Sequence, residues 1–355
     1  MKKTLLLTHE YYPFQGGIAN YTYNLFKFFN TEDYLIVTDQ KELKGNSIIN
    51  IKLINKFSIP SYLLSFFKLK KIIKDNNIEI IFTPHILPLG TLAYFLKIPY
   101  IISLHGLDIN LALKNRPKLT KKILKGAEKI IVNSKQTGER VKEYDSKVEL
   151  IYPSINIHKE YNINKLAELK KNIKNNKAII LLTVGRLNKR KSQDLVIKAL
   201  GELKDLNIKY YIIGRGEEEN NLKNLIKKYN LKNVFILNNI NNNDLVYYYN
   251  LADIFVLPQR DNKEDREGFG IVFLEAGNYN LAIIAGQEGG PLEILTNNKD
   301  SILIEQDNKQ ELKEALKLLY FNKKKREELG YNIKKRVLEF PSSQEQSNKL
   351  KKILS

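Results

Sequence analysis

The sequence predicts an α/β protein built of two doubly wound domains, and three observations lead there. Short apolar runs alternate along the chain with longer amphipathic ones. Several short runs are apolar on both faces, as parallel strands buried between helices are. At 355 residues the chain exceeds one small core and suits two domains of ordinary size.

The elements follow in order. Met1-Lys-Lys-Thr-Leu-Leu-Leu begins like a signal peptide, but its apolar run stops after three leucines and is expected to be a first buried strand. Strands are expected at Leu5–Thr8, Tyr34–Val37, Ile78–Phe82, Tyr100–Ser103, Lys129–Val132 and Val148–Ile151. A polar stretch rich in Asn and Lys, residues 153–176, is expected to be a linker with one helix. The alternation then resumes at Ile179–Val184, Lys209–Ile213, Val234–Leu237, Ile254–Leu257 and Ala282–Ala285. Phe340-Pro-Ser-Ser343 opens a lysine-rich final helix, because Ser and Pro start helices well. The expected domains are residues 1–160 and 161–340, with helix 341–355 returning to the first.

Composition limits the chemistry. The absence of cysteine removes disulfides, zinc-thiolate sites and thiol nucleophiles, and fits a reducing cytosol. No apolar stretch approaches the ~20 residues that cross a bilayer. The net charge is +19, partly a lysine-rich compositional bias. Residues 61–125 nevertheless hold eleven Lys/Arg against three Asp/Glu, a local +8. Such a basic region favours phosphate, in nucleic acid or in anionic lipid head groups. No recognised nucleic-acid module accompanies it.

The candidate site residues fall where strands hand over to helices. Gly16 and Gly17, in Gln15-Gly-Gly-Ile18, follow the first strand and let a ligand approach the backbone and a helix N-terminus. Standing alone, such glycines are more often an ordinary tight βα turn. His105, in His-Gly-Leu-Asp108, follows the strand at Tyr100, where ligands sit in open α/β sheets. His9 has a similar place, and His85 has no clear context.

Arg186, Arg190 and Lys191 end the strand Ile179–Val184 and precede a helix near Ser192. Cations there oppose the helix dipole, so an anion is expected to offset them. Glu267 and Glu275 bracket a glycine turn and an apolar helix start, with the amides of Phe269, Gly270 and Ile271 between them. Paired carboxylates also occur in glycosidases. With upstream cations and helix-start amides, this pair suits a nucleoside-diphosphate sugar better. No Asp-x-Asp occurs, so phosphate charge is expected to be met without a metal clamp.

These motifs together resemble glycosyltransferase family 4, the retaining group with the GT-B architecture of two Rossmann-like domains facing a central cleft. Gly-Gly-Ile, His-Gly-Leu-Asp, Val-Asn-Ser, Gly-Arg-Leu-x-x-Arg-Lys, Ala-Asp-Ile-Phe-Val-Leu-Pro, Glu-Gly-Phe-Gly-Ile-Val-x-x-Glu-Ala and Gly-Gly-x-x-Glu follow in the family's order. The resemblance implies Arg186, Arg190 and Lys191 on the donor diphosphate, with Gly16 and Gly17 against it. Glu275 would hold the ribose, and Ile240 the base through its backbone. Glu267 with Phe269 and Gly270 would hold the transferred sugar, and His105 would touch sugar and phosphate. Ser192 departs from the family's usual glycine, and Gly277-Asn-Tyr-Asn-Leu281 from its usual turn.

The long loop Gln259–Arg266 and Ile-Ala-Gly-Gln-Glu-Gly-Gly resemble the phosphatidylinositol mannoside mannosyltransferases. The resemblance therefore implies a hexosyltransferase using GDP-mannose, with a UDP-sugar transferase, or an epimerase or hydrolase of the same fold, as alternatives. A lipid-linked or polysaccharide acceptor of cell-envelope glycan synthesis is expected. No cofactor beyond the nucleotide-sugar co-substrate is expected, and no metal. The protein is expected in the cytoplasm, peripheral on an anionic membrane, with Leu63, Phe66, Phe67 and Ile73 forming the apolar face of a basic helix. A nucleic-acid-binding protein is the remote alternative.

Overall fold

A computed structural model describes residues 1–14, 16–53, 59–154, 161–173, 178–241, 243–261 and 267–355, the side chains of 59–63 excepted. Gln15, parts of the expected linker (155–160 and 174–176), the loop residues 262–266 and the side chains of Tyr62 and Leu63 lie outside the described residues. The chain divides into two compact units, Met1–Asn156 with Pro341–Ser355, and Ile157–Phe340.

The first unit carries a parallel sheet of β1 (Thr4–Leu7), β2 (Tyr34–Thr38), β3 (Ile48–Asn50), β4 (Ile80–Thr83), β5 (Tyr100–Leu104), β6 (Lys129–Val132) and β7 (Val148–Leu150). Their spatial order is β3-β2-β1-β4-β5-β6-β7. Successive side chains point to opposite faces. Leu5, Leu7, Ile81, Ile102 and Ile130 enter one core, and Leu6, Ile36, Ile80, Phe82, Ile101 and Ile131 the other. Two buried faces explain why these runs have no polar alternation.

The helices of this unit are α1 (Gly17–Phe26), α2 (Ile59–Asp75), α3 (Leu89–Leu96), α4 (Leu107–Asn115), α5 (Pro117–Gly126) and α6 (Lys135–Glu139). Pro117 begins α5, where its missing N–H costs nothing. Ser134 caps α6 by accepting from the Thr137 N–H at 3.0 Å. The inward face of α2 differs from expectation. Ser65 and Leu69 are buried and Phe66, Ile72 and Ile73 partly so, whereas Phe67 is 63% exposed. A 3.6-residue period places Leu69 four residues after Ser65 on one face and carries Phe67 off it.

The second unit repeats the plan with β8 (Ile179–Val184), β9 (Ile208–Ile213), β10 (Val234–Leu237), β11 (Ile254–Leu257), β12 (Ala282–Gly286) and β13 (Ile302–Ile304). All pairings are parallel, in the order β10-β9-β8-β11-β12-β13. Its helices are α7 (Ile163–Ile173), α8 (Gln193–Leu200), α9 (Glu219–Lys228), α10 (Leu245–Leu251), α11 (Ile271–Asn278), α12 (Lys309–Phe321) and α13 (Lys323–Val337). Asn308 and Asn322 cap α12 and α13 through their side chains.

The last helix, α14 (Ser343–Leu354), packs on α1 of the first unit. Ser342 and Glu345 form a capping box at its start, and the Ser347 hydroxyl donates to the Leu25 carbonyl at 2.5 Å. Among the described residues, no helix is long and apolar enough to cross a membrane.

Candidate functional site

In the second unit, β8 ends at Val184 and turns through Gly185–Asn188 into one short turn of 3-10 helix, Lys189–Lys191. The Asn188 side chain accepts from the Lys191 N–H at 3.2 Å and so sets the turn. Ser192 follows with φ 56°, the left-handed region where glycine is cheapest. Close packing needs glycine at Gly214 after β9: a Cβ there would lie 1.8 Å from the Gly185 carbonyl oxygen.

The three expected cations divide. Arg186 is exposed, and its side chain makes no hydrogen bond or ion pair among the described residues. Arg190 and Lys191 turn inward and meet Glu267. Lys191 Nζ lies 2.5 Å from Glu267 Oε2, and an Arg190 Nη donates to the same oxygen. Their side chains are 14%, 8% and 13% exposed, so the cluster is largely removed from water. Burial pushes the Glu267 carboxyl up, but Lys191 and Arg190 outweigh it and hold the group down at about 2. In this structure Glu267 is an anion that offsets two cations at a helix start.

Two residues unremarked in the sequence hold this cluster. The Arg260 N–H donates to the Arg190 carbonyl at 2.7 Å, and its guanidinium to the Lys189 carbonyl at 2.8 Å. That guanidinium also grips Asp194 in the first turn of α8, at 2.7 and 3.1 Å, and Asp307 at 2.5 Å. Asp261 Oδ1 accepts from the Glu267 N–H at 3.0 Å, and the Glu267 carbonyl accepts from the Gly290 N–H at 3.1 Å. The only signal was an Arg-Asp pair just past β11, which sequence alone leaves on a loop.

Gly270 precedes α11 with φ 85°, and a Cβ there would lie 2.7 Å from the Phe273 ring, so only glycine fits. Phe269 is buried edge-on against Phe340, and Ile271 opens the helix half-buried. Glu275 lies within α11, and its Oε2 accepts from the Tyr249 hydroxyl at 2.8 Å. Burial raises the Glu275 carboxyl to about 6, although that hydrogen bond pulls it down. Tyr249 stacks on Tyr279, with ring planes 4° apart and centroids at 5.2 Å. Sequence reasoning gave neither tyrosine a role: Tyr249 lies in a helical Tyr run that reads equally as core, and Tyr279 in the turn after α11. Ile240 is half-buried in the loop after β10. Arg215 fixes that loop by donating to the Asn238 carbonyl at 2.5 Å and to Asn239 Oδ1 at 2.8 Å.

In the first unit, Gly16 caps α1 and Gly17 begins it. A Cβ on Gly16 would lie 3.1 Å from Glu10 Oε2, whereas one on Gly17 would meet nothing within 4 Å. His105 stands one residue past β5. Its N–H donates to Asp108 Oδ1 at 2.9 Å, and Tyr21 packs edge-on against its ring. Burial lowers the imidazole to about 3, so it is neutral near pH 7. Burial likewise raises Asp108 to about 6, opposed by backbone N–H donors.

Two parallel-sheet, Rossmann-like units, one with a basic strand–turn–helix loop on a buried glutamate, define the class: a GT-B transferase of nucleotide sugars. The chain belongs to the glycosyltransferases of group 1 and family 4. The model of the glycosyl transferases group 1 matches residues 164–336, and that of Glycosyltransferase Family 4 residues 15–159. An uncharacterised glycosyltransferase of Methanocaldococcus jannaschii is 30% identical over 93% of this chain and 92% of its own. The GDP-mannose-dependent α-(1-6)-phosphatidylinositol monomannoside mannosyltransferase of Mycobacterium tuberculosis is 21% identical over 86% of each chain. Anabaena HepE, in complex with UDP and glucose, superposes with a TM-score of 0.83 at 16% identity, over 100% of this chain and 99% of that one.

Proposed function

We propose that this glycosyltransferase is retaining and metal-independent, and moves a hexose from a nucleoside diphosphate to a lipid-linked or polysaccharide acceptor of the cell envelope. Mannose from GDP-mannose is the favoured donor, supported by the long loop after β11 and by likeness to the mycobacterial mannosyltransferase. A UDP-sugar is the second reading, because HepE was crystallised with UDP and glucose.

The observation that carries the reading is the Arg190–Lys191–Glu267 cluster at the carboxyl end of β8. In the proposed mechanism the donor diphosphate takes over Arg190 and Lys191, and Arg186 reaches it from the exposed start of the loop. As the glycosidic C–O bond breaks, the electron pair stays on the leaving phosphate oxygen. Fixed cations aimed at that charge lower the barrier by a few kcal/mol each. Glu267, freed from the cations, turns to a sugar hydroxyl. Glu275 accepts from the ribose, oriented by Tyr249, and the Ile240 backbone meets the base. On the first unit, Gly16 and Gly17 are proposed to offer a helix start, and neutral His105 its single ring N–H, to a ligand. The leaving phosphate takes the proton of the acceptor hydroxyl as the new C–O bond forms on the same face.

The protein is proposed to work in the cytoplasm at an anionic membrane surface. On α2, Leu64 and Phe67 are 65% and 63% exposed, beside exposed Lys68, Lys70, Lys71 and Lys74. Each Lys near such a surface contributes about 1 kcal/mol. The experiment is transfer from GDP-mannose and from UDP-glucose to membrane lipid extract, with the anomeric configuration of the product read by NMR. Retention from GDP-mannose is expected. An inverted anomer overturns the mechanism, and transfer from UDP-glucose alone overturns the donor.

A further inference from the structure

We propose that His9, clamped between Asp39 and His85, is an acceptor-binding residue of the first unit that accepts a hydrogen bond from a neutral sugar hydroxyl at its Nε2. The inference rests on the transferase reading and names a residue for the acceptor.

The sheet order places β1 between β2 and β4. The chain leaves β1 toward β2 on one side, and β4 lies on the other, so this is the point where an open α/β sheet binds ligands. Three neighbouring strands deliver polar groups to that edge. His9 stands two residues past β1, Asp39 one past β2, and His85 two past β4.

Their hydrogen bonds fix one arrangement. His9 Nδ1 lies 3.1 Å from Asp39 Oδ2. An ionised carboxylate only accepts, so Nδ1 carries the proton, and Nε2 is the nitrogen left to face a ligand. The His9 N–H donates to His85 Nε2 at 3.3 Å, and the Thr8 hydroxyl lies 3.1 Å from the same nitrogen. That nitrogen is therefore bare. Burial, with His9 and His105 nearby, lowers His85 to about 3 and keeps it neutral. The loop is held again at Tyr11, whose N–H donates to Gln40 Oε1 at 2.6 Å and whose carbonyl accepts from Gln40 Nε2 at 3.1 Å. Asp39 and Gln40, adjacent in sequence, thus grip His9 and Tyr11.

Rings and backbone are fixed as a preorganised site requires. The His9 and His85 rings meet edge-on at 5.4 Å. The His9 side chain is 20% exposed, and its Nε2 has no protein hydrogen-bond partner among the described residues. A structural histidine would use both nitrogens; this one is anchored through one and offers the other. The Asp39 carboxylate, 3.1 Å from the ring, repels a phosphate or carboxylate and admits a neutral hydroxyl.

The test measures nucleotide release from GDP-mannose and UDP-glucose, alone and with octyl α-mannoside, octyl β-glucoside or glucose 6-phosphate. Release without acceptor reads donor hydrolysis, and the acceptor-dependent increment reads transfer. In His9→Ala, hydrolysis should stay within twofold of wild type while KM for the neutral glycoside rises at least tenfold. Asp39→Asn should act in the same direction, and His9→Gln, whose amide oxygen can accept, should recover part of the loss. His9→Gln also carries the test if His9→Ala does not fold. An unchanged glycoside KM in His9→Ala and His9→Gln overturns the proposal. So does an increment confined to glucose 6-phosphate, or hydrolysis with no increment from any glycoside. A wild-type chain that neither releases nucleotide nor is stabilised by UDP or GDP overturns the transferase reading itself.

Discussion

Glu267→Ala removes the carboxylate shared by Arg190 and Lys191 from a largely buried site. A carboxyl held at about 2 against its ordinary 4.5 corresponds to about 3 kcal/mol of preference for the ionised, paired form. Removing one partner of a buried pair costs about 3–5 kcal/mol, the same order. For a domain of this size, each kcal/mol moves Tm by roughly 2–4 °C, so the variant should melt about 6–12 °C below wild type near pH 7. The sign with pH is fixed. A lowered carboxyl gives stability that is full above 4.5 and lost as pH falls toward about 2, so the two melting curves should converge there. The assay is differential scanning fluorimetry with and without inorganic pyrophosphate. Pyrophosphate should raise Tm more in Glu267→Ala than in wild type, because it meets the cations without displacing a carboxylate. Equal melting temperatures at pH 7, or equal pyrophosphate shifts, would refute the reasoning.

Three further outcomes are expected. With a ribose hydroxyl donating to Glu275, as proposed, nucleoside-diphosphate binding favours its ionised form; calorimetric affinity should then fall about tenfold from pH 7.5 to pH 5, beyond any change in Glu275→Gln. A matching pH dependence in both chains would remove Glu275 from the ribose. Vesicles containing anionic lipid should sediment the protein and neutral ones should not, and Leu64→Ser with Phe67→Ser should weaken binding; indifference to lipid charge would point to a soluble acceptor. Transfer should survive EDTA, and complete loss restored by magnesium would contradict a site that meets phosphate with Arg and Lys.

Much of the fold was legible because burial on both faces leaves a simple mark. Val234–Leu237, Ile254–Leu257 and Ile179–Val184 coincide with β10, β11 and β8. The edge strands β3 and β13 were missed. Each has only three residues, and a strand paired on one side needs no long apolar run. The site was legible where chemistry is local in sequence: four cations in six positions and two glutamates around a glycine turn. Pairing was not. Arg190 and Glu267 are 77 residues apart, and nothing in either segment states that β8 and β11 are neighbours. Arg260, Tyr249 and Asp39 act through contacts between elements and were invisible for the same reason. Phe67 shows the converse error: it was assigned to one apolar face with Phe66, and the single-residue step around the helix carries it outside.

The central claim is that the loop after β8 holds the diphosphate of a nucleotide sugar, and calorimetry tests it most directly. UDP and GDP are titrated into the wild-type chain and into a variant carrying Arg186→Ala and Lys191→Ala. The account predicts one bound nucleotide per wild-type chain, and at least a hundredfold weaker binding in the folded variant, about 3 kcal/mol. Equal affinity in the two chains, or no binding of either nucleotide to the wild type, would contradict it.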